Sequence, residues 1–282
     1  PVVWNLHDML TADHFSPTTR RLAVWMANRW ADRVIVNSKA TRAAFAASGG
    51  DPAKTAVVYN GIDAAPFEAV DPDEVRALRR RLALGDAPVV GVFGRLASWK
   101  GQHVLVEALA DLPGAHALLV GDALFGGDDA YARRLRTLAA ERSVADRVHF
   151  LGFREDVPRL MHLVDVVAHT SVAPEPFGRV LVEGMLARRP VVATDAGGAR
   201  EVVEDGETGL LVPPDDPGAL AAALQSLLDT PERRARLGRA GYRRARRRFS
   251  RGQMLRGVRR QIHDVLDREP APVPRTPRSH GA

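Results

Sequence analysis

Two carboxylates, two cations and one histidine carry most of the chemistry open to this sequence. Glu175 and Glu183 stand eight positions apart in Pro174-Glu175-Pro176-Phe177-Gly178-Arg179-Val180-Leu181-Val182-Glu183. An apolar run at 164–168 precedes them, and a helical pattern with Val180, Leu181, Met185 and Leu186 follows. A strand–loop–helix turn of this kind aims backbone N–H groups at the space before the helix, where an anion binds. A carboxylate among such amides repels phosphate and suits hydroxyl donors. The loop is therefore expected to hold a ligand that is part phosphate and part polyol. Arg95 and Lys100 flank the start of another helix in Gly94-Arg95-Leu96-Ala97-Ser98-Trp99-Lys100-Gly101. Two cations there oppose the helix dipole unless they face an anion. A diphosphate satisfies both, with Arg as a bidentate partner and Lys as a compact point charge; a pair of solvated surface cations is the alternative. Gly94 lets the backbone turn close to a ligand. His7 directly follows a strand-like run, and a structural histidine beside Asp8 is the plain alternative to a functional one.

Positioning these groups requires strands that end beside one another. From residue 88 onward, apolar runs at 89–93, 117–120, 147–151, 164–168, 191–194 and 209–212 alternate with helical patterns at 101–110, 130–142, 180–187 and 217–228. Six strands alternating with helices predict a doubly wound α/β sheet, whose ligands bind at the carboxyl ends of the strands. The first 65 residues alternate in the same way. Strands are expected at 1–5, 33–38 and 55–59, with helices at 18–31 and 39–47. Leu22, Trp25, Met26 and Trp30 are expected to form the buried face of the first helix. Three strands are too few for a complete sheet of this kind, and the chain opens without Met, so a fragment lacking the first part of its N-terminal domain is expected. Residues 64–70 read as a linker and 71–84 as a charged helix. Helices at 231–249 and 253–266 follow, then a Pro- and Arg-rich tail expected to be disordered. The division is 1–66, 67–250, 251–267 and 268–282.

Composition narrows the classes. The chain has 282 residues, a net charge of +6 and no cysteine, which excludes a disulfide scaffold and cysteine-ligated metal. It shows no apolar run of the roughly 20 residues a membrane span needs, and a cytoplasmic protein is expected. No Gly-x-Gly-x-x-Gly opens either half and no Walker-type loop is present, which disfavours dinucleotide and P-loop enzymes. Asp71-Pro72-Asp73 at a helix start reads as a cap rather than a cation site, and the nine histidines lack ligand spacing. The arginine run at 233–248 offers either a solvated face or a surface for anionic lipid at the inner face of the membrane; no nucleic-acid motif accompanies it.

Several of these pieces occur together in one family. Asn60-Gly61-Ile62-Asp63, Gly94-Arg95-Leu96 with Lys100-Gly101, Leu151-Gly152, Glu175-Pro176-Phe177-Gly178 with Glu183, and Gly206-Glu207-Thr208-Gly209-Leu210-Leu211-Val212 resemble the retaining glycosyltransferases of family 4. That resemblance implies a GT-B fold, two Rossmann-like domains facing across a cleft, here with an incomplete first domain. It implies hexosyl transfer from a nucleoside-diphosphate sugar without a metal cofactor, to a glycan, lipid or small-molecule acceptor; an inactive nucleotide-sugar-binding module is the alternative. Catalytic duties would fall to His7, Arg95, Lys100 and Glu175. Arg95 and Lys100 would meet the diphosphate, Glu175 the sugar hydroxyls and His7 the sugar near its reacting carbon. Donor binding would involve Gly94, Phe177, Gly178, Arg179, Val180 and Leu181, with Glu183 on the ribose and the backbone near Arg154 on the base. The last helix is expected to cross back onto the first domain.

Overall fold

The computed structural model describes residues 1–12, 15–123 and 126–267. The chain forms two parallel sheets. The first holds β1 (Val3–Leu6), β2 (Arg33–Val36) and β3 (Thr55–Val57) in the order β1-β2-β3. The second holds β4 (Val89–Phe93), β5 (His116–Val120), β6 (Val148–Gly152), β7 (Val166–His169), β8 (Val191–Thr194) and β9 (Leu210–Val212), in the order β6-β5-β4-β7-β8-β9. Helices cover both faces of this sheet, which is why β4, Val-Val-Gly-Val-Phe, is buried along its whole length. β4 feeds β5 on one side while β7 returns on the other, so the strand order reverses between β4 and β7. In such sheets that reversal opens a crevice at the carboxyl ends of the strands. Gly94 and Arg95 leave β4 there, and the chain toward Glu175 leaves β7 there.

The two sheets are Rossmann-like domains of the GT-B type, as expected. β4, β8 and the helix Pro217–Leu228 have the predicted bounds. Asp71 caps the helix Pro72–Arg81 by accepting a hydrogen bond from Asp73 N at 2.8 Å. The helix Arg251–Leu266 does return to the first domain: Gly61 N donates to Met254 Sδ at 3.2 Å, and Gly257 packs on Val58.

Two expectations need correction. The helix Pro17–Trp30 buries Val24 and Ala27 rather than its large residues; Leu22, Trp25 and Trp30 are 54%, 55% and 52% exposed. Small side chains let this helix approach β1 and β2 closely, where Val24 and Ala27 pack with Leu6, Val34 and Phe45. Residues 64–70 are no linker. Ala65–Glu68 is a helical turn whose Phe67 is buried with Ile62 and Ala64 in the core of the second domain. Two sets of arginines stand out in the helix Pro231–Arg248. Arg244 is buried, donating to the carbonyls of Glu201 and Val202 and pairing with Glu204, and Arg246 pairs with Glu68. Arg236, Arg239, Arg243 and Arg247 are exposed and, at spacings of three and four, share one face. Among the described residues no helix is long and apolar enough to cross a membrane. The tail from residue 268 lies outside the described residues.

Candidate functional site

Three glycines turn the chain away at the ends of adjacent strands. Gly94 N donates to Val120 O at 2.8 Å, and Gly121 N donates to Gly152 O at 2.8 Å. Gly121 has φ +138°, and a Cβ there would stand 2.1 Å from Gly94 O. No side chain fits between these two turns, so the ends of β4, β5 and β6 form a floor of bare backbone. A cleft of about 700 Å³ opens above it, within the roughly 300–1,000 Å³ typical of small-molecule sites.

Glu175 is anchored on one side of this cleft. The residue is only 7% exposed. Oε1 accepts from Ser171 Oγ at 2.6 Å, lies 3.2 Å from His169 Nε2, and is paired with Lys100 Nζ. Burial alone would push this carboxyl up; the charges and hydrogen bonds of His169 and Lys100 outweigh burial and hold it well below the usual carboxylate range. Lys100 Nζ also sits 4.4 Å from the ring centroid of Trp99, and the Arg95 guanidinium lies 5.9 Å from the same ring. The indole thus gathers both cations on one wall. The loop itself rests on a glycine pair: Gly198 N donates to Glu175 O at 2.8 Å, and Cβ atoms on Gly197 and Gly198 would stand 2.3 Å from Glu175 O and 2.4 Å from Pro176 O.

The helix Arg179–Leu186 begins at the cleft with Gly178 in the left-handed region. Its first turn aims Arg179 and Val180 into the site, and Glu183 follows one turn later. Burial pushes the Glu183 carboxyl above its usual range, against the opposing charge of Arg179, whose Nη2 is 3.8 Å away. Arg154 lines the same space with its guanidinium held on Asp156 by two 2.8 Å hydrogen bonds. His7 stands across from the second domain, exposed at the carboxyl end of β1, and its carbonyl accepts from Asn37 Nδ2 at 3.0 Å. Of the twelve residues expected in the site, eleven line this one cleft. Leu181 does not: it is fully buried, and its amide donates to Gly178 O at 3.1 Å. The described residues hold no group of three or more side chains placed to bind a metal ion.

A family model for glycosyl transferases group 1 matches residues 74–244, and one for glycosyltransferase family 4 matches residues 1–65. The chain belongs to the group 1 glycosyl transferases. HepE of Anabaena, solved in complex with UDP-glucose, superposes with a TM-score of 0.89 at 43% identity, covering 94% of this chain and 72% of HepE. The GDP-mannose-dependent alpha-(1-6)-phosphatidylinositol monomannoside mannosyltransferase of Mycolicibacterium smegmatis is 36% identical over 223 residues, 75% of this chain and 56% of that protein. The alpha-D-kanosaminyltransferase of Streptomyces kanamyceticus is 35% identical over 204 residues, 70% of this chain and 52% of that protein. The chain spans about half the length of these curated relatives.

For a group 1 glycosyl transferase, sequence reasoning missed several residues that shape the site. His169 and Ser171 grip Glu175 from the end of β7. The ring of Phe153 lines the cleft at 72% exposure, and Asn37 and Asn60 line the first-domain wall. Position at or just past the end of a strand was the available signal for His169, Ser171, Phe153 and Asn37; side-chain chemistry alone did not mark them.

Proposed function

We propose that this chain moves a hexosyl group from a nucleoside-diphosphate sugar to an acceptor hydroxyl, with retention at the anomeric carbon. The observation that carries the reading is the convergence of Arg95, Lys100, the amino end of helix Arg179–Leu186 and Glu175 on one cleft at the strand-order reversal. Cleavage of the anomeric C–O bond leaves its electron pair on the departing diphosphate. Arg95, Lys100 and the helix amides stabilise that charge as it develops. The acceptor oxygen forms the new C–O bond on the face the diphosphate leaves, and its proton passes to a diphosphate oxygen. Glu175 holds sugar hydroxyls, Glu183 the ribose, the backbone at Arg154 the base, and His7 meets the sugar near the reacting carbon. No metal is required, because the cations of the chain carry the neutralisation. UDP is the nucleotide favoured by the likeness to HepE, whose structure holds UDP-glucose.

A lipid-linked acceptor fits the same reading. The exposed stripe of Arg236, Arg239, Arg243 and Arg247 suits anionic headgroups, and one relative is named for a phosphatidylinositol mannoside. The first test is thermal-shift binding of UDP, GDP and ADP, with Lys100→Ala as the control. UDP at a hundredfold excess over its dissociation constant should stabilise the wild type by about 2.7 kcal/mol, and the variant should lose about half of that or more. Absence of a shift with all three nucleotides overturns the proposal.

A further inference from the structure

One carboxylate outside the cleft joins the two domains. Glu201 belongs to the short helix Ala199–Val202, directly after the glycine pair that supports the Glu175 loop. Its side chain crosses to the first domain. Oε2 accepts from Lys39 N and Oε1 from Ala40 N, each at 2.9 Å. These are the first amides of the helix Lys39–Ala47, whose N-cap is Ser38. A carboxylate there meets orphan N–H donors and the positive end of the helix dipole together. Tyr59 OH, also of the first domain, donates to Oε2 at 2.9 Å. The Tyr59 ring in turn stands 6.1 Å from Phe177 of the glutamate loop and 5.5 Å from Phe249.

The connections continue on both sides. In the first domain, Thr41 of the capped helix donates to Asn37 Oδ1 at 2.8 Å, and Asn37 holds the His7 carbonyl. In the second, Gly198 holds the Glu175 carbonyl, and Arg244 donates to the Glu201 carbonyl at 2.8 Å. Hydrogen bonds joined by short stretches of backbone therefore link His7 on one wall of the cleft to Glu175 on the other, and they change domain at Glu201 and at a longer 3.4 Å contact from Thr41 Oγ1 to Pro176 O.

We propose that Glu201 is a positioning residue. It fixes the glutamate loop against the first domain and sets the separation of His7 and Glu175 while touching no substrate. The proposal rests on the transferase reading for its kinetic consequence and on geometry alone for its structural one. The groups assigned to the diphosphate, ribose and base of UDP belong to the second domain, so UDP affinity should not depend on Glu201. Turnover needs both walls in register, and a misplacement near 1 Å costs on the order of a hundredfold.

The test compares wild type with Glu201→Gln, which keeps the size but turns an amide N–H₂ toward backbone N–H donors. The chain has no cysteine, so spin labels at Arg42→Cys and Glu207→Cys report one interdomain distance. Glu201→Gln should broaden that distribution, leave the UDP dissociation constant within about twofold, and lower kcat at least about tenfold with donor KM nearly unchanged. Glu201→Asp, which keeps the charge and loses reach, should fall between the two. An unchanged distance distribution overturns the bridge. A broadened distribution with unchanged kcat overturns the positioning role. A UDP affinity that falls in step with kcat overturns it too, because Glu201 then supports the donor site itself. A wild type that binds UDP yet transfers no sugar sinks the transferase reading, and the bridge is then decided by the distance measurement.

Discussion

Lys100 offers the sharpest quantitative test of the site. Lys100→Met keeps the aliphatic stem over Trp99 and removes only the charge. In the wild type that charge is paired with a glutamate side chain 8% exposed, while the lysine side chain itself is 21% exposed. Removing one partner of a buried pair costs about 3–5 kcal/mol. The low end applies, because His169 and Ser171 remain on Glu175. A stability loss of about 3 kcal/mol is expected. Glu175→Gln leaves Lys100 able to reach water and keeps the Ser171 contact, so about 2 kcal/mol is expected. The double variant should lose about 3 kcal/mol rather than the additive 5, because coupled neighbours deviate by about 0.5–3 kcal/mol.

Binding separates the two roles of the lysine. A hydrogen bond to a charged group is worth about 1.5–3 kcal/mol, so Lys100→Met should weaken UDP roughly 10- to 150-fold. The double variant should be no less stable than Lys100→Met and should bind UDP no better, since its ammonium is still missing. Urea denaturation and isothermal titration calorimetry give both quantities on the same samples. Stability losses that add within about 0.5 kcal/mol, or a folded Lys100→Met that binds UDP within about twofold of wild type, would refute the reasoning.

Two further outcomes follow from the geometry. Gly121→Ala places a Cβ 2.1 Å from Gly94 O at φ +138°, and it should cost more than about 2 kcal/mol by strain and clash and abolish the UDP thermal shift. Gly114→Ala, at φ +74° with open space around its Cβ, should cost about 1 kcal/mol and leave the shift intact. For the arginine stripe, wild type should co-sediment with phosphatidylglycerol vesicles at low salt and not with phosphatidylcholine. Arg236→Gln, Arg239→Gln and Arg243→Gln together should remove about 3 kcal/mol of that binding, and equal binding by wild type and the triple variant would end the membrane reading.

How much of this was legible in the sequence depended on range. β4, β8 and the helix Pro217–Leu228 were read with their observed bounds because apolar runs and helical periodicity are local signals. Arg95, Lys100 and Glu183 were legible because a strand-to-helix turn constrains what can follow it. The helix Pro17–Trp30 was misread on its faces because a spacing rule ranks residues by hydrophobicity. Close packing on β1 and β2 selected the small ones, Val24 and Ala27, instead. The amide of Leu181 looked available to a ligand until the helix used it, which only the observed start of the helix decides. Glu201 was invisible for a different reason. Its partners Lys39 and Ala40 are 162 and 161 positions away, and nothing near Glu201 in the chain signals a helix end in another domain.

The hold on Glu175 also bears on how the proposed retention would be achieved. A double displacement needs a carboxylate nucleophile on the open face of the sugar. Glu175 Oε1 is shared by Lys100, Ser171 and His169, and the carboxyl is held well below its usual range. A carboxylate so stabilised is a weak nucleophile, and at neutral pH it has no proton to give. Glu183 is the more basic group, since burial pushes it up. It lies one turn past the start of the helix, however, on the helix whose amino end is proposed to face the diphosphate. Asp122 is exposed, and its Oδ1 accepts the amide of Ala123. These cleft carboxylates do not combine reach with basicity, which favours attack by the acceptor on the departing side, with the diphosphate itself taking the proton. On that path the Glu175→Gln member of the cycle above loses hydroxyl contacts but not a bond-forming atom. It should therefore keep measurable transfer, whereas loss of a true nucleophile would leave none.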